Sequence, residues 1–111
     1  MTPPDRTRDE AALQRYFDRK VEATGALTYI GDRARGWPDR FVFWDVIGSE
    51  RGLVNVPTPI ELVELKDPDG SLEPMQEVVR ERLHKRGHRV WMLRGREQVD
   101  RWLKLRGIDV S

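Results

Sequence analysis

Apolar positions recur at helical spacing through Leu13, Tyr16, Phe17 and Val21, which predicts an amphipathic helix. Thr7-x-x-Glu10 resembles a capping box at its start, and Gly25 suits its end. The period then changes. Leu27 to Ile30 reads as a short strand, GDRARGWPD as a polar loop, and RFVFWDVIG from Arg40 as a second strand. Between Gly48 and Pro59 the pattern allows either a long hairpin loop or a short strand around Leu53 to Val56. Ile60 to Lys66, IELVELK, is the clearest strand, and DPDG after it is a strong turn signal. Pro74 fits the first position of a helix whose buried face is Met75, Val78 or Val79, and Leu83, with Gly87 as its stop. RVWML reads as a last strand. Arg96 to Arg106 reads as a last helix packing through Val99, Trp102 and Leu103. The order αβββαβα implies an α/β fold, a mixed central sheet flanked by helices.

Composition narrows the classes. The chain of 111 residues is the size of one domain over 1–111, with 1–6 as a frayed lead-in. It has no cysteine, which excludes disulfides and thiolate zinc sites. No apolar run reaches transmembrane length and no signal-peptide pattern is present, so no membrane contact is expected and a soluble intracellular protein is. The formal net charge is only +1, but it is unevenly spread. Gln76 to Ser111 holds ten Lys or Arg against five Asp or Glu, whereas Met1 to Met75 holds ten against fourteen. A basic second half can face a phosphate backbone or form a solvated helix face.

The strand IELVELK poses a chemical question. Alternation puts Glu64 and Lys66 on one face with Ile60 and Leu62, while Val63 and Leu65 make the other face apolar too. Such a strand is interior, and interior strands rarely carry charge without a reason. Asp39 lies at the mouth of the preceding strand, after Gly36 and Pro38. If the two strands pair antiparallel, Asp39 meets Glu64 and Lys66. Two carboxylates so placed repel unless a divalent cation sits between them. Mg²⁺ suits oxygen ligands, and Lys66 would orient an attacking water or offset charge growing on a phosphate. That is chemistry for phosphodiester hydrolysis. Glu10 borders the first helix's apolar stripe and is either a cap or an acid aimed into the site.

GWPDR, VELK and LEPMQ, preceded by a helical glutamate, resemble the VRR-NUC family of the PD-(D/E)xK nuclease superfamily. The matching residues are Glu10, Gly36-Trp37-Pro38-Asp39, Glu64-Leu65-Lys66 and Gln76, and GHRVWML resembles the strand that follows. The likeness spans Glu10 to Leu93 and is greatest to small stand-alone members of bacteria and phages. It implies a restriction-endonuclease-like αβββαβ core with an extra C-terminal helix. It also implies a Mg²⁺- or Mn²⁺-dependent, structure-selective DNA endonuclease of the cytoplasm, often homodimeric and active on four-way junctions. Asp39 and Glu64 would hold the metal with the Leu65 carbonyl, Glu10 would complete the shell directly or through water, and Gln76 would position a ligand or the nucleophile. The family often has Ser before the helix-opening proline, where Glu73 stands here.

Plainer readings stand beside these. Asp39 could be a turn residue, Glu64 and Lys66 a surface pair, and Gln76 the far end of a capping box with Glu73. The alternative function is a non-catalytic nuclease-fold module that holds branched DNA or a protein partner. Arg33, Arg35 and Arg40 flank the site and could hold phosphates, with Lys85, Arg86 and Arg89 extending the footprint or simply solvating a helix end. Trp37 could stack on an unpaired base, or cover the core beneath its loop. His84 and His88 straddle Gly87, diverge, and are given no role. A helicase or recombination partner leaves no mark in the residues.

Overall fold

A computed structural model describes residues 6–31, 35–46, 56 and 58–111, with side chains from Glu10 onward. The lead-in expected over 1–6 (but for Arg6), the side chain of Thr7, Arg33, and nearly all of the alternative strand around Leu53 to Val56 fall outside the described residues.

Seven elements follow the expected order: α1 Arg6–Glu22, β1 Leu27–Ile30, β2 Arg40–Phe43, β3 Ile60–Lys66, α2 Pro74–Lys85, β4 Val90–Arg94 and α3 Gly95–Leu105. The sheet runs β1-β2-β3-β4. β1 pairs antiparallel with β2, and β2 with β3, whereas β3 and β4 are parallel and need α2 as their crossover. The fold is therefore the αβββαβ core with a mixed sheet and an added C-terminal helix. β2 is shorter than the run RFVFWDVIG suggests, although Trp44 still donates its N–H to the Pro59 carbonyl at 3.0 Å. β3 ends in an Asx turn, the Asp67 carboxylate accepting the Asp69 N–H at 3.0 Å. Among the described residues no helix is long and apolar enough to cross a membrane.

The core lies on one side of the sheet. Val42, Val63 and Leu65 face Phe17 and Val21 of α1 and Val99, Trp102 and Leu103 of α3, all of them buried. The Trp102 ring meets Phe17 at 5.4 Å and Trp44 at 5.9 Å between centroids. Truncating a ring so enclosed costs about 3–5 kcal/mol. Tyr16 donates its hydroxyl to Asp100 and so ties α1 to α3.

Two features depart from the sequence reading. Glu61, on the core face of β3, is buried and accepts two N–H groups of Arg106 at 2.7 and 2.5 Å, with Trp44 Nε1 donating to it at 2.8 Å. Arg106 also donates to the Trp102 carbonyl at 2.9 Å and lies over the Trp102 ring. Helix α2, on the other side, buries only Val79; Met75 and Val78 are exposed and Leu83 is half-buried. The reason is placement: among the strands, α2 packs chiefly on β4, so a single residue in its roughly three turns is fully covered.

Candidate active site

The β2–β3 register pairs Arg40 with Val63, so the residue before Arg40 falls opposite Glu64. That residue is Asp39. Its Oδ2 accepts the Leu65 N–H at 2.8 Å, and its main-chain carbonyl accepts the Gly31 N–H at 3.0 Å and an Arg40 N–H at 2.9 Å. The loop before it leaves no room for a side chain at Gly36. Gly36 has φ +84°, and a Cβ there would stand 2.6 Å from both Cγ and the carbonyl oxygen of Met75. This contact sets Pro38 and Asp39 against the first turn of α2.

Glu64 is buried, and its carboxyl is pushed up from 4.5 to about 8. Burial contributes most, followed by the charge of Asp39 and a carboxyl–carboxyl hydrogen bond with it; Lys66 acts in the opposite direction. Lys66 Nζ stands 4.0 Å from Glu64 Oε1 with its side chain largely covered, so the pair is not the exposed surface pair of the plainer reading. Glu73 caps α2 in a capping box with Gln76, Pro74 following at the first helical turn. Gln76 closes that capping box and touches Glu64 as well. Its Oε1 accepts the Glu73 N–H at 2.8 Å, and its Nε2 donates to Glu64 Oε1 at 2.8 Å. The cap bond fixes which end of the amide faces the acid.

A narrow cavity lined by Pro38, Glu64, Leu72, Gln76, Arg80 and Met92 leads to this group. Arg80 escaped the sequence reading. Its signal was its spacing, four residues after Gln76 on the same helix face.

Other expected residues are placed elsewhere. Glu10 is half-buried on α1, the helix whose Phe17 and Val21 pack with Val63 and Leu65 in the core. Among the described residues no three His, Asp or Glu side chains are gathered to hold a cation. Arg40 is buried, not set out for phosphates. Its Nε donates to Asp18 at 2.8 Å, a second N–H reaches the same carboxylate at 3.1 Å, and Gln14 accepts another at 3.4 Å. Strand alternation explains this, since Arg40 points away from the face of Asp39 toward α1. Arg35 is exposed. Lys85 pairs with Glu81 at 3.2 Å and Arg86 donates to the Arg82 carbonyl at 2.8 Å, both exposed. Nine and ten residues beyond Gln76, they lie roughly 14 Å along the helix axis. Arg89 stacks over Trp91 at 3.5 Å. Trp37 is exposed, resting on Phe41 at 6.3 Å instead of covering the core.

The chain is similar to a solved structure described as a VRR_NUC domain, with a TM-score of 0.66 and 29% identity over 86% of this chain and 95% of that one. No family model matches it, and no curated protein matches it. The structural match bears out the resemblance read from Glu10 to Leu93 and the restriction-endonuclease-like core that it implies.

Proposed function

We propose that this chain, VRR-NUC-like in fold and motif, is a metal-dependent endonuclease that hydrolyses phosphodiester bonds in branched DNA, four-way junctions among them, and works as a homodimer. The observation that carries the reading is the meeting of the Asp39 and Glu64 carboxylates beside Lys66 and Gln76. Two acids forced together in a buried site leave one protonated, and a hard divalent cation relieves the same repulsion. The donor set fits Mg²⁺ or Mn²⁺: two carboxylates and the Leu65 carbonyl, with Glu10 completing the shell directly or through water. When bound, such a cation lowers the pKa of a water and polarises a phosphoryl oxygen.

The chain's own residues do the rest. Lys66 holds the attacking water and offsets charge that builds on the phosphate. Gln76 keeps Glu64 aimed, because its amide is anchored to the Glu73 main chain. The Leu65 N–H does the same for Asp39. Arg80 and Arg35 supply cationic contacts for the phosphates on either side.

The test is cleavage of matched four-way junction, flap, single-stranded and linear duplex DNA, in Mg²⁺, Mn²⁺ or EDTA. Metal-dependent cutting by the wild type, preferring a branched substrate and lost in Glu64→Ala, supports the proposal. Binding of branched DNA without cutting in either metal supports the second reading, a non-catalytic nuclease-fold module. That reading draws on the lack of a third acid beside the pair among the described residues.

A further inference from the structure

Among the described residues the sheet ends at β1, and β1 is unusual for an edge. Its sequence, LTYI, has no charge and no proline, the devices that normally discourage a free edge from pairing. Leu27, Tyr29 and Ile30 are 72, 59 and 50% exposed, and the exposed Phe43 lies beside Leu27 across the sheet. Scattered apolar residues need no explanation, but a contiguous strand edge of them does.

The hydrogen-bond alternation shows what this edge can take. Gly31 gives its N–H inward to Asp39, so Tyr29 and Leu27 also face β2. Thr28 and Ile30 then direct their N–H and C=O groups outward. Two copies of β1 laid antiparallel about a twofold centred on Tyr29 match this pattern. Thr28 of each copy exchanges both bonds with Ile30 of the other, and the two Tyr29 residues meet as the close, non-hydrogen-bonded pair. Nothing in the strand repels its own copy, and one twofold closes the assembly.

We infer that β1 is the contact between two copies of this chain, joining their sheets edge to edge into one continuous sheet. The four side chains and the main-chain strip offer on the order of 500–600 Å² per copy, which sits at the lower bound of a specific interface. The dimer is therefore a reversible one. The consequence for function rests on the nuclease reading: a twofold normal to the sheet keeps both Asp39–Glu64 pairs on one face. With strands about 4.8 Å apart, the two Glu64 residues stand roughly 25–30 Å from each other, a separation that suits two strands of one branched substrate.

Sedimentation equilibrium over a concentration series tests the contact without reference to cutting. Tyr29→Lys and Tyr29→Glu each place like charges face to face at the twofold and should raise the dissociation constant about tenfold or more. An equimolar mixture of the two should recover the dimer. Thr28→Pro removes one outward N–H and no bond to β2, and should also give monomer. A monomeric wild type, single variants that stay dimeric, or a mixture that does not recover would each overturn the inference. A dimer that cuts nothing would leave this contact standing and remove the nuclease reading; a monomer that cuts would do the reverse.

Discussion

Glu61 and Glu64 lie three residues apart on one strand and are equally buried, each 2% exposed. Their partners differ. Glu61 faces a guanidinium that bonds both its oxygens, with an indole N–H added. Glu64 faces another acid, and its lysine stands no nearer than 4.0 Å. The first is a buried charge fully compensated, which locks α3 onto the sheet. The second is a buried acid set against another acid, at a cavity, on the face that α2 only partly covers. Burial alone does not mark a functional acid. Burial against a like charge does.

The largest predicted effects separate these two acids by readout. Lys66→Ala and Glu64→Ala should reduce cleavage by about 10³-fold or more while leaving the fold intact, measured as single-turnover rates on a four-way junction. Glu61→Ala should instead unfold the protein more easily, by about 3–5 kcal/mol in urea titration, because Arg106 is left buried and unpaired. A stable Glu61→Ala protein would remove the contrast.

A pH series sharpens the comparison at the next scale. The folded protein holds the Glu64 proton up to about pH 8, while an unfolded chain releases it near 4.5. Metal-free stability tied to this group is therefore complete below about pH 4.5 and declines as pH rises through 8, by a few kcal/mol in order of magnitude. Urea midpoints of wild type and Glu64→Gln in EDTA should diverge over that window, the variant lacking this decline.

These contrasts also show what local pattern can reveal. The limits of β1 and β3 follow from runs of β-branched and aromatic residues ending at turn signals, and α2 begins where Glu73-Pro74 can cap it. Asp39, Glu64 and Lys66 were legible together because one antiparallel hairpin brings them together, and that needs only the register of adjacent strands. The ion pair of Glu61 with Arg106 spans 45 residues and has no local signature. Arg40 could have been read correctly from alternation, but its partner Asp18 sits on a helix whose rotation against the sheet is set by packing. Met75 and Val78 have buried-face spacing; their exposure depends on how far α2 overhangs the sheet, which no helix sequence encodes by itself.

Smaller effects belong to the supports of the acid pair. Gln76→Ala should cost about 1 kcal/mol of stability through the lost cap and slow cleavage about tenfold. Gln76→Glu should keep the cap yet lose more activity, by pressing a third carboxylate onto Glu64. Glu10→Ala, outside the Asp39–Glu64 pair, should slow cleavage least of all these variants.

The central claim is that the Asp39–Glu64 pair holds a divalent cation in place of a proton. Calorimetric titration of Mn²⁺ at pH 7, repeated in buffers of different ionisation enthalpy, tests it most directly. The wild type should bind Mn²⁺ with release of close to one proton per ion, and Glu64→Ala should lose both. Binding that is unchanged in Glu64→Ala, or binding to the wild type that releases no proton, would contradict it.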